Sequence, residues 1–214
     1  MKVNIVYLFG LFENHTDSLF TYLKKNTVHI EWCGIELYPE SEFGSYSFAE
    51  EMKRIQTIID DIRPDMLVAH SLGAYVSAQL VFNCPVVFLE PSLAISDIVL
   101  PNTKHGNNGS LYDDGKHKVK LSTEFVESIK LMPSIKELAY SSKLSSEDVC
   151  IIGAGKGGHI IARQYCIPSS RYVYFPNANH MFSGGKERRK ILSLIKKRLD
   201  IIPGRVRDVC TISP

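Results

Sequence analysis

The chain contains 214 residues, of which 44% are hydrophobic and 22% are charged, and its formal net charge is +2. A chain of this length fits one domain with a single substantial core. The nearly balanced charge argues against a protein dedicated to nucleic acid or to a membrane surface. The apolar runs have only the length of strands, so the sequence predicts no bilayer-spanning segment.

Strand-like runs alternate with helical patterns along the chain, which is typical of βα units and a mostly parallel sheet. The predicted strands cover residues 3–9, 28–33, 65–69, 85–89, 149–152 and 172–175, and the predicted helices cover residues 17–25, 47–62, 72–82, 123–131 and 186–199. The alternation breaks between residues 91 and 148, which is too long for an ordinary connection between two strands. We therefore expect residues 1–214 to form one domain, in which residues 91–148 are a cap or lid.

The five cysteines are an odd number and include no C-x-x-C pair. Cys33 and Cys150 fall inside strand-like apolar runs, where buried free thiols are common. The sequence therefore predicts free cysteines, and a reducing cytoplasm is the simplest location for them.

Ser71 is the most informative residue of the chain. It follows the apolar run at residues 66–69, Gly73 comes two positions later, and a helical pattern begins at once. This order predicts a strand, a sharp strained turn and a helix, with the serine hydroxyl exposed above the sheet edge. Ala69 stands where the usual G-x-S-x-G pattern has its first glycine. The alternative interpretation is an ordinary turn in which the serine caps the helix.

A histidine follows the last predicted strand. His180 lies in the sequence NANHMF, five residues beyond Phe175. Together with LFG at residues 8–10, AHSLG at 69–73 and LEP at 89–91, this arrangement resembles the α/β-hydrolase superfamily over nearly the whole chain. The resemblance implies an α/β fold, with a mostly parallel sheet flanked by helices on both faces, and a serine that precedes its histidine in the chain.

The resemblance also implies acyl transfer and assigns the residues for it. Ser71 is expected to attack the acyl carbon, and His180 to take the serine proton and return it to the leaving group. The backbone amides of Leu11 and Leu72 are the expected oxyanion donors. His70 is interpreted as a packing residue, because neighbouring residues at a turn point in different directions.

The usual acid of the family is absent from its usual place. Relatives present an aspartate after the strand at residues 149–152, but no Asp or Glu occurs between residues 149 and 186. One explanation is that Glu90, at the end of the strand after the serine helix, orients His180. The other is that Glu90 is structural, and that the protein works as a serine–histidine dyad or has lost turnover. We expect Glu90 to be the acid.

Competing motifs have less support. The glycines at 153, 155 and 158 match G-x-G-x-x-G, but the acidic residue expected about 20 residues later is missing, so no cofactor is predicted. The seven histidines show no metal-ligand spacing, so no metal is predicted. The basic residues between 186 and 207 are interpreted as a solvated helix face, or alternatively as a docking surface for an acidic acyl carrier protein.

The sequence as a whole predicts a cytoplasmic serine hydrolase that cleaves a carboxylic ester or thioester of a small acyl substrate. The alternative is a catalytically impaired protein of the same fold that binds a small ligand or a protein partner, and the missing acid is the reason to consider it.

Overall fold

A computed structural model describes residues 3–38, 42–92, 94–106, 109–133, 149–154, 156–164 and 166–200. Its strands are β1 (Val3–Leu8), β2 (Ile30–Ile35), β3 (Met66–His70), β4 (Val86–Leu89), β5 (Thr103–Gly106), β6 (Gly109–Asp113), β7 (Lys118–Leu121), β8 (Val149–Gly153) and β9 (Tyr172–Tyr174). Its helices are α1 (Ser18–Lys25), α2 (Phe48–Ile62), α3 (Leu72–Ser77), α4 (Ile95–Val99), α5 (Thr123–Lys130), α6 (Lys156–Gln164) and α7 (Gly185–Leu199).

The main sheet has six strands in the order β2-β1-β3-β4-β8-β9, and every adjacent pair is parallel. Successive side chains of a strand point to opposite faces. Ile5 and Tyr7 of β1 accordingly pack into one hydrophobic cluster with α1 and α7, while Val6 and Leu8 pack into another with α2, α3, α5 and α6. The predicted mostly parallel sheet with helices on both faces is confirmed.

The helix after Ser71 is shorter than predicted. The pattern predicts residues 72–82, whereas α3 ends at Ser77. The amides of Gln79 and Leu80 donate to carbonyls three residues earlier, at 2.9 and 3.2 Å, and so tighten the end of the helix. The chain turns here because β4, which begins at Val86, pairs beside β3.

The segment between β4 and β8 contains structure that the sequence did not reveal. Besides α5, which corresponds to the helix predicted over residues 123–131, its described part includes α4 and a three-stranded antiparallel sheet in the order β5-β6-β7, neither of which was predicted. Only Tyr112 and Leu121 are fully buried among the described residues of these three strands, while Lys104, Lys118 and Lys120 are exposed. With so few apolar positions, the alternation that marks a strand is weak. Residues 134–148 of the expected cap lie outside the described residues.

The last helix carries a basic exposed face. Its inward residues Ile191 and Ile195 are fully buried. The exposed face carries Lys186, Arg189, Lys190, Lys196 and Lys197. Docking of an acidic acyl carrier protein on this face stays a prediction.

Two further properties bear on the predictions from composition. Within the described part of the chain, Cys33, Cys84, Cys150 and Cys166 are free thiols, and Cys210 lies outside that part. None of the described helices combines the length and the apolar character needed to cross a membrane.

Candidate active site

Ser71 occupies a strained turn between β3 and α3. Its φ of 52° and ψ of −118° lie in a region that residues other than glycine rarely adopt. The turn is held by main-chain hydrogen bonds, since Ser71 N–H donates to the Leu89 carbonyl at 2.9 Å and Ser92 N–H donates to the Ser71 carbonyl at 3.1 Å. The serine side chain makes no capping hydrogen bond to α3. The strand–turn–helix prediction is therefore correct, and the capping alternative is not.

Gly73 allows this turn to form. A Cβ atom at this position would lie 2.4 Å from the Leu8 carbonyl oxygen and 2.5 Å from that of Phe9. Real Cβ atoms do not approach backbone so closely, so only glycine lets α3 start against the end of β1. The second glycine of the sequence motif thus has a steric explanation.

The histidine that sequence predicts reaches the serine. His180 lies in the loop between β9 and α7, and its Nε2 is 2.8 Å from Ser71 Oγ. Fully buried Phe182 anchors the loop two residues later, and its amide donates to the Asn179 carbonyl at 3.0 Å. For the serine hydroxyl to donate to Nε2, the ring proton must be on Nδ1.

The environment of His180 favours its neutral form. Partial burial of the ring and the nearby positive charge of His70 lower the pKa of His180, against the opposing effects of Glu13 and Glu90. A neutral imidazole at this distance can take a proton from the serine hydroxyl. Among the described residues, Ser71 is the one hydrogen-bond partner of the His180 ring.

Ser92 is a site residue that the sequence analysis missed. Its Oγ lies 3.1 Å from Ser71 Oγ, so the two hydroxyls share a hydrogen bond. The available signal was the short EPS sequence at residues 90–92, directly after β4. By itself that signal is too common to point to a site.

Glu90 lies where the sequence placed it, at the end of β4, and its side chain is nearly buried with the residue at 9% exposure. Its carboxylate accepts a hydrogen bond from the Ala154 amide, just after β8. The main-chain amide of Glu90 donates to the Ile152 carbonyl at 2.7 Å. Its negative charge favours the protonated form of His180, because it raises the pKa of that ring. Its role as the acid stays a prediction.

The two expected oxyanion donors belong to segments that adjoin the serine. Leu72 follows Ser71 directly and is the first residue of α3, where the amide has no partner within the helix. Leu11 belongs to the loop after β1. That loop packs closely on the serine, since a Cβ atom at Gly10 would lie 2.9 Å from Ser71 Cβ. The oxyanion role of both amides stays a prediction.

A buried ion pair adjoins the serine and the histidine. His70 Nδ1 lies 2.7 Å from Glu13 Oε2, with side-chain exposures of 0% and 9%. His70 Nε2 lies 2.9 Å from the main-chain carbonyl oxygen of His180. His70 is buried, as the interpretation of it as a packing residue implies, but that interpretation did not include its ion pair with Glu13. Glu13 was not predicted as a site residue.

The same residues are the group to consider for a metal. Potential ligand atoms of Glu13, His70 and His180 lie within 4.8 Å of one another. However, both nitrogens of His70 face oxygen acceptors, so neither presents a lone pair to a cation. The contacts therefore describe an ion pair better than a metal centre.

Comparison with known proteins relies on structure, because no family model and no curated protein matches the sequence. The esterase domain of a Rhodothermus marinus protein superposes with a TM-score of 0.60 at 10% identity, over 91% of this chain and 85% of that one. Est1E from Butyrivibrio proteoclasticus with ferulic acid bound gives 0.69 at 12% identity, over 92% and 90%. Mouse alpha/beta hydrolase domain-containing protein 10 gives 0.56 at 12% identity, over 92% and 89%.

The chain has the α/β-hydrolase fold. The similarity covers more than nine tenths of the chain in each of these comparisons. The resemblance inferred from the sequence motifs is confirmed at the level of fold.

On this hydrolase fold, a cavity of about 510 Å³ opens over the serine. One wall comes from the sheet and its loops and includes Leu11, Phe12 and His180. The facing wall comes from the segment between β4 and β8. It includes Ile98, Tyr112, Asp114, Lys116 and His117. The aromatic rings of Phe12 and His117 stack across the two walls, with centroids 4.1 Å apart and planes 17° apart.

Proposed function

We propose that the protein is a serine hydrolase that cleaves a carboxylic ester or thioester through an acyl-enzyme on Ser71. The observation that carries this proposal is the 2.8 Å contact between Ser71 Oγ and His180 Nε2 at a positive-φ turn. The fold supports it, because in the α/β-hydrolase arrangement this turn presents a nucleophile. The lowered pKa of His180 supports it as well, because the base must be neutral to act.

The proposed reaction has two halves. As Ser71 Oγ attacks the acyl carbon, its proton passes to His180 Nε2, and the amides of Leu11 and Leu72 stabilise the negative oxygen of the tetrahedral intermediate. The intermediate collapses to the acyl-enzyme when His180 gives the proton to the departing alcohol or thiol. Water then attacks the ester carbon with His180 as base, and the carboxylic acid and the free serine are released. Glu90 stabilises the imidazolium that forms in each half.

In this proposal, the size and the lining of the cavity determine which esters can bind. Phe12 and Tyr112 offer apolar surface beside the serine, and a cavity of about 510 Å³ holds a small acyl or aryl ester. Because residues of the 91–148 segment line it, we propose that this segment acts as a cap that selects the acyl group.

The pH dependence follows from the pKa of His180. Protonated His180 cannot accept the serine proton, so kcat/KM should fall as the pH falls through that pKa. Because the pKa is lowered, we expect the midpoint of this acid limb below the ordinary imidazole value of about 6.5. Initial rates on a soluble aryl ester across the acid range measure it. A midpoint clearly above that value would contradict the environment described for His180.

The direct test is covalent labelling with a fluorophosphonate probe. We expect one phosphonylated serine in the native protein, located at Ser71 by peptide mass spectrometry, and no labelling of the Ser71→Ala variant. Ser92→Ala is the matched control, because it removes the neighbouring hydroxyl 3.1 Å away and keeps the proposed nucleophile. It should still be labelled. If the folded native protein does not react under any condition, a binding protein that has lost turnover is the better description.

A further inference from the structure

We propose that Glu13 and His70 are positioning residues, which hold the main chain of His180 so that its ring faces Ser71. This inference rests on the proposed function. It gives a role in the reaction to a buried charge pair outside the Ser71, His180 and Glu90 set.

The contact that would transmit the effect is a single hydrogen bond. His70 Nε2 lies 2.9 Å from the carbonyl oxygen of His180, although the two residues are 110 positions apart in the chain. His70 ends β3, the strand that also leads into the serine turn. The bond therefore connects the strand that carries the proposed nucleophile to the residue that carries the proposed base.

The protonation state of His70 follows from its partners. A main-chain carbonyl and an ionised carboxylate only accept hydrogen bonds, so both ring nitrogens of His70 must donate. The ring is then an imidazolium cation paired with the Glu13 carboxylate. The pKa directions of the two groups agree with this assignment. Burial disfavours the charged form of each group, but the attraction and the hydrogen bond between them are stronger. As a result the pKa of His70 is raised and that of Glu13 is lowered.

The Glu13 carboxylate also fixes the loop after β1. Its Oε2 accepts the Gly10 amide at 2.8 Å as well as the His70 ring at 2.7 Å. Leu11, the proposed oxyanion donor, lies between Gly10 and Glu13. One carboxylate thus connects the oxyanion loop, the end of the nucleophile strand and the loop of the base. A buried ionic group with its hydrogen bonds satisfied is rigid, which suits a positioning role.

This chain has a particular need for such a contact. The loop after β8, where relatives place their acid, contains no carboxylate. Among the described residues the His180 ring bonds only to Ser71, so no side chain there fixes the ring by a hydrogen bond to Nδ1. The hydrogen bond from His70 to the His180 carbonyl restrains the main chain of His180 and so orients its ring in another way.

The test uses two substitutions of His70 that keep different halves of its contacts. The side-chain amide of Gln extends about as far as Nε2, so His70→Gln keeps a donor for the His180 carbonyl and loses the donor for Glu13. His70→Asn reaches about as far as Nδ1, so it keeps the donor for Glu13 and loses the one for His180. For His70→Asn we expect kcat to fall on the order of 100-fold with KM little changed, the effect of a displaced reacting group. For His70→Gln we expect a fall of about tenfold or less.

The contrast between the two variants decides the inference. A merely structural role predicts equal losses in both, and equal kcat values in folded His70→Asn and His70→Gln would overturn it, as would wild-type kcat in both. Glu13→Gln serves where a His70 variant does not fold, since it keeps an acceptor for Gly10 and removes the charge. We expect it to lower kcat by about tenfold, and an unchanged kcat would overturn the inference.

Covalent labelling separates this inference from the proposed function. The positioning role predicts that Ser71 is labelled to completion in each folded variant, but more slowly in His70→Asn than in His70→Gln. Equal labelling rates count against positioning and leave the nucleophile intact. Absence of labelling in the native protein would instead count against the hydrolase proposal itself.

Discussion

Replacing His180 by Gln should lower kcat by roughly 10⁵- to 10⁶-fold, the effect of removing a general base from a serine hydrolase. The glutamine amide can still hydrogen-bond to Ser71 Oγ, but it cannot take the proton that the attack releases. Steady-state rates on an aryl ester, with the concentration of folded protein determined by circular dichroism, measure the effect.

The control for this variant is another histidine outside the cavity. His105 lies on β5, is exposed, and bonds to Ser110 Oγ at 2.9 Å. His105→Gln should keep wild-type kcat. If His180→Gln retained more than a few per cent of the native turnover, His180 would not be the base and the proposed mechanism would fail.

The second large effect is expected for Glu90→Gln, which should lower kcat by about 10- to 100-fold, because this carboxylate acts on His180 through its charge and not through a hydrogen bond to the ring. Glutamine keeps an oxygen that can accept the Ala154 amide, so the link between β4 and β8 is retained. What is lost is the negative charge that stabilises protonated His180. The measurement is kcat together with the acid limb of kcat/KM, which should move to still lower pH.

An exposed glutamate provides the comparison for Glu90→Gln. Glu127 on α5 pairs with Lys130 at 2.7 Å at the surface, so Glu127→Gln should leave kcat unchanged. Near-normal turnover of Glu90→Gln would show that Glu90 is only structural and that the enzyme works as a dyad supported by its main-chain contacts.

The parts that could be predicted from the sequence depend on short-range signals. The strand before Ser71 is an apolar run of the expected length, and Gly73 follows the serine by two positions, so the turn motif lies within a few residues of sequence. His180 could be found because it lies in the loop after the last predicted strand and follows the serine in the chain, as the family order requires. These signals were sufficient for the main sheet, the serine turn and the histidine.

The parts that could not be predicted depend on contacts between distant residues. Glu13 and His70 are 57 positions apart, and only the folded sheet brings their side chains together. His70 is fully buried and is not among the residues that line the cavity, whereas the adjacent Ser71 does line it. The β5–β7 sheet was missed for another reason, since only Tyr112 and Leu121 of its described residues are buried and the apolar pattern is weak.

The stack of Phe12 on His117 joins two parts of the chain that are encoded more than a hundred residues apart. The four-residue turn at 114–117 contributes three of the residues that line the cavity, yet neither Ser71 nor His180 bonds to it. We therefore expect substitutions in this turn to change the cavity without a direct effect on Ser71 or His180. We expect variation among related proteins to concentrate in this turn and at Phe12, whose ring stacks on His117.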